Sequence, residues 1–376
     1  MSATGRPRDF RQPQRSPPAQ IGVSGDGSRQ DPALSFIVVT FNGASAIVNC
    51  LRSIFMQSLR PAEVIVVDNN SADETRQLVQ AEFPEAMLVI NDRNLGYGAA
   101  NNIGVRVASG SVICAINQDV TLDADWSLEM LNFLLSHERC GAAEGKLYLS
   151  DHPKILNSGG SYVNLLGFGC ATRYGEEDSG DKAPKIVSYP SGAAFAVRKQ
   201  AFDDVGGFDE SYFMYHEDVD LGLRLRRAGW LVFYVPSATA SHAYDSSVRS
   251  WKIELLERNR WKTMVKDFPD GYFFRCGPLV LIFEIAVSLQ LLSLGFFGAK
   301  IRATLGFLKD LRKISRTRYI TRERSSQLIR DYASLTDEMP ATLSIDNRWV
   351  RLAAKLQTKY RKAFLNPRAS DKTNSS

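Results

Sequence analysis

Several common signals are missing from this chain, and each absence removes a class of function. Its five cysteines (Cys50, Cys114, Cys140, Cys170, Cys276) are scattered, with no Cys-x-x-Cys spacing. That argues against a zinc site or a disulfide framework and predicts reduced, mostly buried thiols in a cytosolic protein. No Gly-x-Gly-x-x-Gly follows the first strand-like run, which argues against a dinucleotide-dependent dehydrogenase. Val39-Thr40-Phe41-Asn42-Gly43 lacks the glycine-rich loop with nearby basic residues that a nucleotidyltransferase needs near its first strand. The N-terminal residues contain no apolar h-region, so no secretory signal is predicted there. The net charge of +5 is a mild bias that gives no reason to expect nucleic acid.

The 376 residues, 44% of them hydrophobic, are enough for a full globular core. Residues 1–32 are rich in Arg, Pro, Gln, Ser and Gly and cannot bury one, so a disordered tail is predicted there. A single α/β domain is expected over 33–270, then a helical region over 271–366 and a loose polar tail over 367–376. Within the helical region, Pro278 to Gly298 is apolar almost throughout, interrupted by Glu284 and Gln290. Its length is close to the roughly 20 residues needed to cross a bilayer. Basic residues follow at Lys300, Arg302, Lys309, Arg312, Lys313, Arg316 and Arg318. A buried core helix, an interfacial helix and a full span all remain open. Glu284 weighs against the span, and the basic residues favour a helix lying on anionic headgroups.

The N-terminal half alternates strand and helix patterns. Strands are predicted at Ser35–Thr40, Glu63–Val67, Met87–Ile90 and Val112–Ile116. Helical spacing covers Ala44–Gln57, Gly96–Ala108 and the stretch from the Asn69–Glu74 turn to Phe83. Short links between alternating elements imply a mostly parallel sheet covered on both faces, with ligands bound beyond the strands' carboxyl ends. Polar residues gather at those ends: Thr40 and Asn42, Asp68 and Asn70, Asn91 and Asn94, Asn117 and Asp119. Further on, His216-Glu217-Asp218-Val219-Asp220 opens a helical stretch, and His242 follows strand-like Leu231 to Val235. A carboxylate leaving a strand, an acidic helix start and a downstream histidine are the parts of a metal–phosphate site with a general base beside it.

The motifs also resemble a known family. Val38-Val39-Thr40-Phe41-Asn42, Val66-Val67-Asp68-Asn69-Asn70-Ser71 and Asn94-Leu95-Gly96-Tyr97-Gly98-Ala99-Ala100-Asn101-Asn102 are similar to family 2 glycosyltransferases, most of all the rhamnosyltransferase-like branch. The similarity continues through Asn117-Gln118-Asp119, Ser191-Gly192-Ala193-Ala194-Phe195, Gly206-Gly207-Phe208-Asp209-Glu210 and His216 to Leu221, and ends near His242 and Arg258-Asn259. The resemblance implies a GT-A fold, with a nucleotide-binding half (33–120) and an acceptor-binding half (121–270) in one continuous domain. It implies inverting transfer of a sugar from a nucleoside diphosphate donor, with dTDP-rhamnose a candidate. The acceptor would be a glycan or lipid-linked saccharide of the cell surface, met at the cytoplasmic face of the plasma membrane.

It also implies roles for named residues. Thr40, Asn42, Asp68, Asn70, Asn94, Gly96, Asn102 and Asn117 would hold the donor nucleotide, with Asp68 on the base and Gly96 letting the backbone approach the ligand. Asn102 has a plain alternative as a capping or packing residue. Asn117-Gln118-Asp119 departs from the family's Asp-x-Asp, so Asp119 would be the main carboxylate on Mg²⁺ or Mn²⁺, with His242 a further ligand. Asp218 would be the base, with Glu217 orienting it or the acceptor. Asp220, two residues on along a helix, faces elsewhere. Ser191, Gly192 and Ala193 would form a turn beside the acceptor. Arg258 or Arg260 would either contact the diphosphate or lie on a solvated basic face. A non-catalytic sugar- or nucleotide-binding protein with the same fold is the rival reading, and the intact Asp119, Asp218 and His242 argue against it.

Overall fold

The computed structural model describes residues 33–269 and 271–317. The predicted disordered tail, the final polar tail and most of the 271–366 region, Arg318 included, lie outside the described residues. The elements run β1 (Leu34–Thr40), α1 (Ile47–Phe55), β2 (Glu63–Asp68), α2 (Thr75–Glu82), β3 (Met87–Ile90), α3 (Tyr97–Val107) and β4 (Val112–Asn117). Next come β5 (Val120–Leu122), α4 (Trp126–Ser136), β6 (Cys140–Leu149), β7 (His152–Ser158), β8 (Ser161–Val163), β9 (Gly169–Ala171), β10 (Lys185–Ile186) and β11 (Ala194–Arg198). The rest are α5 (Lys199–Asp204), a 3-10 turn (Glu210–Tyr212), α6 (Glu217–Ala228), β12 (Leu231–His242), α7 (Ser250–Asp267), α8 (Tyr272–Ser293) and α9 (Phe297–Thr317).

One sheet carries the domain, in the order β10-β12-β6-β11-β4-β1-β2-β3. The stretch β4-β1-β2-β3 is wholly parallel, as the short alternating strands predict. Antiparallel β11 then joins β4 to β6, so both halves share one hydrogen-bonded ladder. Helices cover both faces. Ile47, Leu51 and Ile54 of α1 pack on one side with Trp126 and Met130 of α4, while Ala100 and Val105 of α3 pack on the other with Leu221 and Leu225 of α6. All five cysteines are buried, as expected.

Helix α1 starts later than its spacing predicts. Ala46 and Ile47 both donate to the Gly43 carbonyl, so the chain turns before it coils. The apolar stretch 278–298 also has different bounds. Helix α8 starts earlier, and Gly295 (φ +77°) breaks the run before α9 begins.

A third apolar cluster joins α6 and α7 to α8. Helix α8 is, among the described residues, long and apolar enough to cross a membrane by length and composition. Its two faces differ. Cys276, Leu279, Val280, Phe283, Val287 and Leu291 are buried, whereas Phe274 is 91% exposed and Leu281, Ile282, Ile285, Leu289 and Leu292 also face outward. Ile301, Leu305 and Leu308 extend this apolar surface onto α9. Glu284 faces inward. With Lys300 of α9 and Glu257 and Arg260 of α7 it forms a four-member ion cluster, in which Arg260 and Glu257 are 3.0 Å apart. Arg260 is fully buried, lies 4.4 Å from the Phe168 ring centroid and donates to the Leu166 carbonyl. Neither sequence expectation for Arg260 holds, because it is buried against two counter-charges, Glu257 of its own helix and Glu284 of α8.

Candidate active site

The predicted residues come together through backbone contacts. Asp119 follows β4, and His242 ends β12. Strand β5 pairs Val120 with His242, and the Ala243 N–H donates to the Asp119 carbonyl at 3.0 Å. His242 Nε2 then lies 3.4 Å from Asp119 Oδ1. On its other side, Nδ1 is 3.1 Å from Asn157 Oδ1, a carboxamide oxygen that can only accept, so Nδ1 carries the proton. In the neutral imidazole the Nε2 lone pair then faces a carboxylate oxygen that is buried and has no hydrogen-bond partner. Two electron-pair donors converging without a proton between them suit a divalent cation, and Asn157 supplies the outer hydrogen bond that orients a ligating imidazole. Among the described residues no third His, Cys, Asp or Glu joins them. A hard cation that completes its shell with water and substrate phosphates fits two protein ligands.

The turn Ser191-Gly192-Ala193 connects this pair to the acidic helix start. The Ala193 carbonyl accepts from Asn117 N–H at 2.8 Å, and the Gly192 N–H donates to Asp218 Oδ2 at 3.0 Å. The Ser191 N–H donates to Glu144 Oε2 at 2.9 Å. Asp218 also accepts from its neighbour Val219 N–H. Burial pushes the Asp218 carboxyl up to about 6, and those N–H groups oppose the shift. Glu217 is raised well above the usual carboxylate range, first by burial and then by the charge of Asp218, and its buried Oε2 has no partner. Asp220 points away, into Arg224 and Lys266, as the helix spacing predicts.

The segment before Glu217 is strained and held on every side. Phe213, Tyr215 and His216 have φ of +64°, +68° and +70°. Asn259 Nδ2 of α7 contacts the carbonyls of Tyr212, Met214 and Tyr215 at 3.0, 2.9 and 2.8 Å. The Phe213 carbonyl accepts from Tyr97 N–H at 2.7 Å. Gly96 (φ +86°) also has a reason within the protein: a Cβ there would sit 2.1 Å from the Phe213 oxygen.

The expected donor residues are engaged mostly with one another and with nearby backbone at the strand ends. Thr40 donates to Gln118 Oε1 at 2.6 Å, tying the ends of β1 and β4. Asn42 accepts from Ala72 N–H, and Asn94 accepts from Gly96 N–H to open α3. Asp68 is fully buried, accepts from Ser71 N–H and pairs with Arg76 Nε at 2.6 Å, while Asn70 accepts from the same guanidinium. Asn102 departs from the group. Its amide is engaged with both backbone groups of Phe208 and with Glu210, which matches the packing alternative.

Three site-supporting residues had no assigned role in the sequence. Tyr97 donates to the Gly192 carbonyl at 2.6 Å, and its phenol is raised well above the usual range, first by burial and then by the charges of Glu217 and Asp218. Glu144 holds Ser191 and Ser161 and is pushed up to about 8 by burial. Asn259 is the third. Its only sequence signal is a place beside Arg258 in the last resembling motif.

Comparisons with known proteins agree with this architecture. A family model described as "Glycosyltransferase like family 2" matches residues 32–263. An N-acetylglucosaminyl-diphospho-decaprenol L-rhamnosyltransferase of Mycobacterium tuberculosis is 34% identical over 233 residues, covering 56% of this chain and 75% of that protein. An O-antigen chain rhamnosyltransferase, WbaN, of Salmonella anatum is 23% identical over 251 residues, covering 66% of this chain and 74% of that one. In fold, the solved structure of GalNAc-T7 with UDP, GalNAc and Mn²⁺ is similar, with a TM-score of 0.54 and 15% identity. That match covers 67% of this chain and 52% of the solved one, so the chain spans about half of that protein.

Proposed function

The chain belongs to glycosyltransferase family 2 and has the GT-A fold, and from that premise we propose which sugar transfer it performs and with which residues. The donor is a nucleoside diphosphate sugar, with rhamnose the first candidate because two similar proteins are named as rhamnosyltransferases. The acceptor is a hydroxyl of a glycan or lipid-linked saccharide in cell-surface polysaccharide synthesis. The observation that carries the reading is the 191–193 turn, whose backbone ties Asp218 on one side to the strand that delivers Asp119 on the other. Asp218 removes the acceptor proton as the hydroxyl attacks the anomeric carbon opposite the leaving diphosphate, which inverts that centre. Glu217 and Tyr97 orient the base and the acceptor. Asp119 and His242 hold Mg²⁺ or Mn²⁺, which when bound neutralises charge on the diphosphate. Thr40, Asn42, Asp68, Asn70, Asn94 and Asn117 form the nucleotide crevice of the 33–120 half, and residues 121–270 receive the acceptor.

The protein works on the inner face of the plasma membrane. The exposed apolar face of α8 and α9 supports that placement, with Arg302, Lys309 and Lys313 on the same helix pair. The inward Glu284 favours a helix lying on the membrane over one crossing it.

The test is a donor screen by turnover and thermal shift with UDP-, dTDP- and GDP-sugars, with and without Mn²⁺. Metal-dependent transfer or donor hydrolysis should appear with one donor and vanish in Asp119→Ala and Asp218→Asn. Turnover that survives Asp218→Asn would mean the base has been misassigned.

A further inference from the structure

We infer that Lys252 is a binding site for a diphosphate group, set in an aromatic cage beside His242. The inference rests on the glycosyl-transfer reading above and adds a residue to it. Lys252 lies in the first turn of α7 and is 6% exposed. Its ammonium donates to the Asp245 carbonyl at 2.9 Å and reaches Tyr244 Oη at 3.4 Å. It lies 4.9 Å from the Tyr244 ring centroid and 5.9 Å from that of Tyr215.

Its charge balance sets it apart. Among the described residues the other buried cations are Lys146, Arg224, Arg260, Lys262, Lys266 and Lys300, and each has a carboxylate within ion-pair distance. Lys252 has none. The acids near it in sequence are engaged elsewhere: Glu254 pairs with Arg302 at 2.7 Å, and the exposed Asp245 pairs through its carboxylate with Arg249 at 3.2 Å. A buried ammonium without a counter-charge is costly, and an anion arriving from solution relieves that cost. Two of its three N–H groups have acceptors, which leaves one for a ligand.

The surroundings identify the anion. The Tyr244 ring is 5.5 Å from the His242 ring, and Tyr215 directly precedes His216-Glu217-Asp218. On the other side, Arg302 of α9 bonds Ser250 and Glu254 in the first two turns of α7. Lys252 therefore stands between the Asp119–His242 pair and the helices with the exposed apolar face. Two substrates would bring a diphosphate to that place: the nucleotide donor, and an acceptor sugar joined to a lipid through a diphosphate.

The test uses the full chain with Lys252→Met, which keeps the aliphatic stem between the rings, and Lys252→Arg, which keeps the charge. Lys252→Gln replaces the Met variant should that fail to reach the wild-type Tm. Binding of UDP, dTDP and inorganic pyrophosphate is measured by calorimetry. KM is measured for a diphosphate-linked saccharide acceptor and for the same saccharide as a simple alkyl glycoside. If the donor's diphosphate sits on Lys252, nucleoside diphosphate affinity falls roughly ten- to a hundredfold in Lys252→Met and returns in Lys252→Arg. If the acceptor's diphosphate sits there, nucleotide affinity is unchanged and the preference for the diphosphate-linked acceptor falls by a similar factor. A folded, uncharged variant that binds every probe and discriminates the acceptors like wild type overturns the site and leaves the transfer reading standing. Pyrophosphate binding that depends on Lys252 in a protein with no transfer activity keeps the site and removes that reading.

Discussion

Asn259 offers the sharpest test of how the acidic helix start is held. Asn259→Ala removes one amide that reaches three carbonyls. An amide nitrogen has only two hydrogens, so the three contacts amount to about two hydrogen bonds. Leaving their acceptors unsatisfied beside a fully buried position costs roughly 2–4 kcal/mol, or a Tm loss of about 4–8 °C. The larger effect should be on turnover. Phe213, Tyr215 and His216 hold left-handed backbone angles that cost roughly 1–3 kcal/mol each, and they persist because their surroundings enforce them. Without the clamp this segment relaxes and carries Asp218 with it. A displacement of about 1 Å at a reacting group costs roughly a hundredfold in rate. The assay is single-turnover transfer beside donor binding by calorimetry. The expected result is kcat down about a hundredfold with donor Kd within about twofold of wild type. A variant that loses the predicted stability but turns over normally per folded molecule would refute the clamp as a positioning device.

Two further outcomes follow from charge. Since burial lifts Asp218 to about 6 and a base must be unprotonated to act, kcat/KM should rise about tenfold per pH unit up to about pH 6 and level off above it; a flat profile between pH 5 and 8 would exclude Asp218 as the titrating base. Glu284→Gln leaves Arg260 and Lys300 facing Glu257 alone, an excess of one buried positive charge, and should cost about 3 kcal/mol, read as a Tm fall of roughly 6 °C. Adding Lys300→Met restores neutrality and should recover a good part of that fall; no recovery would mean that packing, not charge, holds α8. The same cluster makes deletion of α8 and α9 a poor test of membrane binding, because it would strip Arg260 of Glu284. Charged substitutions at Phe274 or Leu281 leave the cluster intact.

The alternation from β1 to β4 was legible because each of its elements is short and locally patterned. The residues at the carboxyl ends of the strands were legible for the same reason. What escaped depends on contacts between distant segments. Tyr97 meets Gly192 and Glu144 meets Ser191, and no periodicity records either pairing. Gly96 was read as a place where the backbone approaches a ligand, and the Phe213 carbonyl that a Cβ there would meet comes from more than a hundred residues on, where no local pattern shows it. Arg260 sits among other basic residues on α7 and reads as either a diphosphate contact or part of a solvated face. Its i−3 partner Glu257 was visible in the sequence, but Glu284 and Lys300 were not. The end of α8 was missed because Gly295 lies inside a mostly apolar run that continues through Phe296 and Phe297, and its positive φ is visible only in the structure.

The Asp119–His242 pair is located by strand pairing. Val120 sits opposite His242, and the ladder from β5 through Ala240 fixes which way each neighbour points. Residues around the pair can therefore drift in identity without moving it, provided the strand count is kept. One inserted or deleted residue in Val120–Leu122 or Ala240–His242 would turn one member of the pair to the opposite face. In this protein the spacing of two strands is a more demanding inheritance than the side chains that line them, and length variation here should be far rarer than substitution.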